Sequence, residues 1–393
     1  MNNTFYLAWR YLSYHRWKTT ILILSVTLIV FLPVGLNVLV EESAAQLTAR
    51  AKSTPLLIGA TGSPLELTLN SLYFDGVTPP LLPYTETDAT RATGLAKPIP
   101  LYVRFNVQGQ PVVGTTLDYF DWRGLRIAAG RQLAVIGEAV LGAGAAKALG
   151  VGVGDSVISS PETVFDLAGV YALKMQVVGV LEPMLTADDN AIFVDLKTSW
   201  IMQGLGHGHQ DLRTGDAAAT ILSANENGIV ANAAVVQYNE ITVDNIESFH
   251  FHGSDEVFPL TAVIAVPNDD KSGVLLLGRF EGNDEAGSQI VQSAKVIEAL
   301  LGTVFTVRQF VVFAVSIVSL ATLATACLVF MLSLRLRQRE RLTLLKLGAP
   351  RPAITGILLA EVVGVIVVSG VLAAGLALTT RHLGADVIRL FLV

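Results

Sequence analysis

The stretch Thr19–Val40, TTILILSVTLIVFLPVGLNVLV, decides the reading of this chain, because it runs from end to end without a charged side chain. A helix needs about 20 mostly apolar residues to cross the hydrocarbon core of a bilayer. A helix on the surface of a soluble core is apolar on one stripe only. Two further stretches have the same character: Gln309–Leu334, also uncharged, and Ile354–Thr380, whose one acid is Glu361. A cleaved signal peptide does not fit the first run. Its apolar part exceeds the usual 7–15 residues or so, and small residues suited to cleavage appear only at Ser43–Ala45. Three retained transmembrane helices are the expectation.

Composition agrees. Of 393 residues, 52% are hydrophobic and 15% charged, with a mean hydropathy of +0.54, which excludes disordered, collagenous and coiled-coil chains. The single cysteine, Cys327, lies in the second apolar run, so neither an internal disulfide framework nor a cysteine metal cluster can form. The net charge of −6 conceals an asymmetry: residues 41–303 hold 15 basic and 30 acidic side chains, leaving 12 basic and 3 acidic for the rest. Those basic residues flank the apolar runs, and the large acidic portion has no basic face, so nucleic acid is not an expected partner.

The short loops set the orientation. Arg10, Arg16 and Lys18 precede the first run, and Arg335, Arg337, Arg339, Arg341, Lys346 and Arg351 lie between the second and third. Positive charge beside a span stays in the cytoplasm. The layout is therefore an interfacial cytoplasmic helix at 1–18, spans at 19–40, 304–334 and 354–380, a domain outside the membrane at 41–303, a cytoplasmic loop at 335–353 and a short tail at 381–393. The fold class is an α+β membrane protein with a large mixed α+β extracytoplasmic domain inserted after the first transmembrane helix.

Within that domain, Val103–Val107, Leu133–Ile136, Val157–Ser159, Met175–Val180, Ala191–Val194 and Leu260–Val266 read as strands, with a helix in Gly137–Gly150. Gly287–Leu301 has helical spacing and is expected to run into the second span. The glycine-rich G-V-G-V-G-D of Gly150–Asp155 precedes a strand rather than a helix N-terminus, so it is a turn and not a phosphate cradle. No nucleotide site is expected in the chain.

One span, a large outside domain and further spans around a basic loop is a layout that resembles the MacB/FtsX/LolC family of ABC transporter permeases. The loop carries part of the likeness: Arg339-Glu340-Arg341 followed by Leu344-Leu345-Lys346-Leu347-Gly348-Ala349 is similar to the family's R-x-x-E-x-x-L-L-R-x-L-G-A segment, and Glu361 sits where members often have L-x-E-A. Outside the membrane, Val113–Phe120, Gly130-Arg131, Val135–Glu138, Leu149–Val157 and Val177–Val180 follow the order of the family's periplasmic core domain. Ile58–Leu67 is similar to V-G-A-K-G-S-P-L-Q-L of one permease subgroup. Four spans are usual in the family, whereas three are evident here. The resemblance implies a non-enzymatic permease subunit in a bacterial inner membrane, with ATP and magnesium held by a separate cytoplasmic ABC ATPase. It also implies a second permease copy, identical or related, and a periplasmic adaptor or binding protein as a further partner.

Read without the resemblance, residues 335–351 mix leucines with cations and end at Gly348 ahead of Pro350 and Pro352, which makes a short amphipathic helix at the membrane surface. Its charge can serve topology alone. The functional reading gives Arg337, Arg339, Glu340, Arg341, Leu344, Leu345, Gly348 and Ala349 to ATPase coupling. Glu361 is an intramembrane acid, a residue type that marks function by default, but one shallow acid without a proton chain is better read as lying near the cytoplasmic interface and pairing with an Arg of the loop or of a neighbouring helix. Four histidines form two pairs outside the membrane, His207 and His209 with Asp211 nearby, and His250 and His252 with Asp255 nearby. Alternate residues of a strand point the same way, so each pair is a candidate chelator of zinc or another divalent metal. The alternative function is a membrane-tethered periplasmic sensor or scaffold, metal-linked and without ATPase coupling.

Overall fold

A computed structural model describes residues 2–160, 172–208, 221–225, 228–231, 240–253, 255–281, 287–336 and 338–392. The chain begins with helices α1 (Asn2–Tyr14) and α2 (Arg16–Ser53), then β1 (Leu56–Ala60), α3 (Pro64–Tyr73), β2 (Leu82–Pro83) and α4 (Thr85–Ala92). There follow β3 (Ala96–Val107), β4 (Gln110–Thr115), α5 (Leu117–Arg123), β5 (Ile127–Gly130), β6 (Glu138–Leu141), α6 (Ala143–Leu149) and β7 (Ser156–Ile158). Next come β8 (Lys174–Leu181), β9 (Ile192–Asp195), α7 (Leu196–Met202), β10 (Gly206–Gly208), β11 (Ile221–Asn225), β12 (Gly228–Ala231) and β13 (Phe249–Phe251). The chain closes with β14 (Pro259–Leu260), β15 (Ala262–Pro267), α8 (Asp270–Glu281), β16 (Ser288–Val291), α9 (Ser293–Leu336), α10 (Gln338–Lys346) and α11 (Arg351–Leu392). Contacts divide it into two units, Arg50–Ile297 and the combination of Met1–Ala49 with Glu298–Val393.

The first unit is a mixed sheet of order β16-β1-β15-β3-β4-β9-β6-β8-β5, with β7 added to β8. Strand β3 organises it. Its first half, Ala96–Leu101, pairs antiparallel with β15; its second half, Tyr102–Val107, pairs with β4 across a register shift. One long strand thus belongs to two ladders. The pairs β4–β9 and β6–β8 are parallel. Ile58, Ile99, Tyr102, Phe193, Leu141 and Met175 are fully buried in its core. Helix ends follow local chemistry: the Ser63 hydroxyl accepts from Glu66 N–H before α3, and Asp195 accepts from Lys197 N–H before α7.

The structure corrects three strand and helix expectations. Leu133–Ile136 is not a strand. Its backbone N–H groups at Ala134 and Val135 donate to the Glu138 carboxylate, at 2.8 and 3.3 Å, and Gly137 turns with φ +84°, so the ladder begins only at β6. The helix placed at Gly137–Gly150 is therefore confined to α6, which Gly150 closes at φ +67°. In Gly287–Leu301 the first residues form β16 on β1, where the Gln289 side chain also donates to Ala60 O at 2.9 Å, and the helix starts at Ser293. The Gly150–Asp155 turn is as expected: Asp155 Oδ2 accepts from Gly152 N–H at 2.8 Å and Gly154 has φ +96°.

In the second unit, α2, α9 and α11 are each long and apolar enough to cross a membrane. The helices overrun the bounds that hydropathy gives: α2 runs on to Ser53, α9 starts at Ser293 and α11 reaches Leu392. At 1.5 Å per residue, α9 is about 66 Å long, roughly twice the hydrocarbon thickness. The tail placed at 381–393 continues α11 to Leu392. Within the segment 1–18, Asn2–Tyr14 forms α1 and the residues from Arg16 on already belong to α2; α1 packs along α11, and a methyl group on Gly364 would stand 3.5 Å from Leu12 Cδ1. Thr27 donates to the Ser369 carbonyl and Ser369 to that of Ile23, tying α2 to α11 through backbone acceptors.

Candidate functional site

The basic loop is a helix with a hard stop. Leu347 N–H donates to Thr343 O at 3.0 Å and Gly348 N–H to Leu345 O at 3.1 Å. Gly348 has φ +90°, a region L side chains rarely enter, so α10 ends there and the chain restarts as α11 at Arg351-Pro352. Arg339, Glu340, Arg341, Leu344 and Leu345 all lie on α10, Gly348 and Ala349 form its exit, and Arg337 lies outside the described residues. Leu342, Leu345 and Leu347 are exposed, Leu347 by 79%. Apolar side chains held out beside cations are what a docking surface or a membrane surface needs.

Glu361 is 3% exposed. With Tyr11, His15 and Lys18 it lines an otherwise apolar cleft of about 370 Å³ among α1, α2, α9 and α11. The acid thus shares its cleft with Lys18 of α2.

Sequence reasoning missed a buried polar cluster where α2 ends. Arg50, 8% exposed, grips Asp188, 2% exposed, with NH1 at 2.6 Å from Oδ2 and NH2 at 3.0 Å from Oδ1. Tyr119 Oη donates to Asp188 Oδ1 at 2.7 Å, Thr186 Oγ1 to Oδ2 at 3.0 Å, and Arg50 Nε donates to the Leu72 carbonyl. Arg123 adds donors to Ser53 Oγ at 2.9 Å and Thr54 Oγ1 at 2.7 Å, with its guanidinium 4.0 Å from the Trp122 ring centre. Burial works against both charges. Even so, Arg50 holds the Asp188 carboxyl below its ordinary range, and Tyr119 with Asp188 holds the Arg50 guanidinium above its own. The last turn of α2, helix α3, α5 and the 3-10 turn Ala187–Asn190 are thereby joined at one desolvated point. Nothing in the spacing of Arg50 and Asp188 announces this. The available signal was that helical sequence without Gly or Pro continues from Val38 to Ser53, past the apolar run.

The histidines group differently from the expected pairs. In the antiparallel ladder β10–β13, His207 faces His250, and His252 N–H extends the ladder by donating to Leu205 O at 3.0 Å. His207, His250 and His252 therefore share one face, each offering a ring nitrogen within 4.8 Å of the others. His209 and Asp211 lie outside the described residues.

The model of the MacB-like periplasmic core domain matches residues 19–237, more than half of the chain. The chain belongs to the MacB/FtsX-type permease family. Among solved structures it is similar to the periplasmic region of MacB from Actinobacillus actinomycetemcomitans, at 12% identity and TM-score 0.33, over 63% of this chain and 92% of that one. It is also similar to the extracellular domain of the noncanonic ABC-type transporter YknZ from Gram-positive bacteria, at 13% identity and TM-score 0.31, over 60% and 98%. No curated protein matches it. The family membership makes the chain a transporter-type permease with a periplasmic-type domain between membrane helices, as the fold class required.

Proposed function

We propose that this chain is the permease subunit of an ATP-driven transporter in a bacterial inner membrane, driven by a separate cytoplasmic ABC ATPase that docks on α10. The observation that carries the reading is the family match over residues 19–237 together with the order of the elements after it, the apolar α9 being followed by the short α10 and then by the apolar α11. Helix α10 is short, capped by Gly348 and studded with leucines and cations, which suits insertion into a groove, the leucines supplying burial and the cations register. The 44 residues of α9 run from beside β16 to the loop without a break, so displacement of α10 has an unbroken rod to act on. Helix α2, pinned at Arg50, supplies the second rod. The catalytic step of ATP hydrolysis belongs to the partner, and a second permease copy completes the assembly. The outside domain then moves cargo or transmits force.

The test is purification of the full-length chain from its native host in mild detergent. A stoichiometric ABC ATPase is expected, whose hydrolysis becomes independent of the permease when Arg341→Glu is combined with Gly348→Pro, while the variant still inserts into the membrane. Unchanged coupling would remove α10 from the mechanism. Recovery of the chain alone and without ATPase activity would favour a tethered sensor or scaffold.

A further inference from the structure

We propose that His207, His250 and His252 form a three-histidine site for a divalent transition-metal ion, with zinc as the ion whose geometry fits best. The inference stands on this cluster alone and does not depend on the permease reading.

The backbone builds the cluster. Pairing His207 with His250 puts both side chains on one face of the ladder, and His252, two residues on, lies on that face as well. The opposite face is fixed. Methyl groups on Gly206 and Gly208 would stand 2.7 Å from the rings of Phe251 and Phe249, so only glycine at these two positions lets the rings lie flat against β10. Phe251 packs at 5.8 Å on Phe258, itself 4.9 Å from the buried Trp200. The histidine face is therefore held outward on a platform anchored in the core, with His250 and His252 exposed and His207 half-buried.

The distances suit one ion. His207 Nε2 and His252 Nε2 are 3.3 Å apart. Two imidazole nitrogens at about 2.0–2.1 Å from a tetrahedral zinc are separated by about 3.3–3.4 Å. The third ring is oriented from behind: His250 Nδ1 lies 3.1 Å from the Ser248 carbonyl oxygen. A carbonyl only accepts, so Nδ1 carries the hydrogen and Nε2 keeps its lone pair for a metal, the support that metal-ligating histidines commonly have. Three neutral nitrogens select a borderline ion such as zinc or copper(II). Magnesium and calcium require oxygen donors, and there is no thiolate to favour copper(I). With His250 and His252 exposed, an ion held by these three side chains can be taken up and released from outside.

The experiment is calorimetric titration of zinc chloride into the full-length chain, purified in mild detergent without a polyhistidine tag and stripped with chelator. One zinc per chain is expected, with affinity falling by at least about tenfold in each of His207→Ala, His250→Ala and His252→Ala, and with no uptake of magnesium. Cobalt(II) should give the intense visible bands of a four-coordinate ion, lost in the triple variant. Because these side chains face outward, circular dichroism of the variants should match the parent. Absence of zinc uptake by the parent, or uptake that survives the triple substitution, overturns the proposal.

Discussion

Replacing Asp188 with asparagine keeps the shape of the side chain but removes the charge that the buried Arg50 requires. Four donors converge on this carboxylate: two from Arg50 at 2.6 and 3.0 Å, one from Tyr119 at 2.7 Å and one from Thr186 at 3.0 Å. Breaking a buried pair by removing one partner costs about 3–5 kcal/mol. Asparagine retains one acceptor oxygen, so about 3 kcal/mol is expected. With a urea dependence of about 3 kcal/mol per molar, the unfolding midpoint falls by about 1 M. The assay is urea titration of the full-length chain in micelles, followed by tryptophan emission, since Trp122 lies 5.9 Å from the Tyr119 ring and Trp200 is in the core. The double variant Arg50→Met, Asp188→Leu separates the charge from the packing and is expected to lie near the parent, because apolar replacements of a buried pair are often neutral. The pH dependence has a definite sign. The Asp188 carboxyl is held low in the folded chain, so the unfolded chain binds its proton first as pH falls. Its contribution is complete above the unfolded value near about 3.9 and is lost as pH falls through the lower folded one. The asparagine variant should therefore show a flatter acid limb. A midpoint within about 0.3 M of the parent would refute the claim that this pair pins the end of α2.

Glu138→Ala removes the acceptor that organises residues 131–137, and about 2 kcal/mol of destabilisation with faster proteolysis in that loop is expected. Arg131→Ala, in which a 55% exposed partner is lost from a 6% exposed carboxylate that keeps its backbone donors, should destabilise the chain less than Glu138→Ala does, as read by the urea midpoint. Gly142→Ala drives a methyl group into the carbonyl oxygens of Asp188 and Asp189, so expression or the urea midpoint should fall well beyond the effect of alanine at the open Gly278.

The apolar runs, the acidic insert and the basic loop were legible from the sequence because bilayer crossing and orientation depend on length, polarity and charge summed along the chain. Five of the six expected strands formed, since alternation of apolar residues is a local property. Leu133–Ile136 failed because a carboxylate five residues beyond Leu133 claims the backbone donors of Ala134 and Val135, and no periodicity records that competition. Gly287–Leu301 failed in its first residues because β1 captured them as an edge strand. The stop of α10 at Gly348 was visible, since positive φ and two prolines act within a few residues. By contrast, the pairing of Arg50 with Asp188 and the meeting of His207 with His250 and His252 join residues far apart in the chain. The sequence by itself determined that the chain carries three helices long and apolar enough to cross a membrane, with an α+β insert after the first. Only the tertiary structure decided which polar side chains are buried together and which imidazoles share a face, because sheet order and register set those distances.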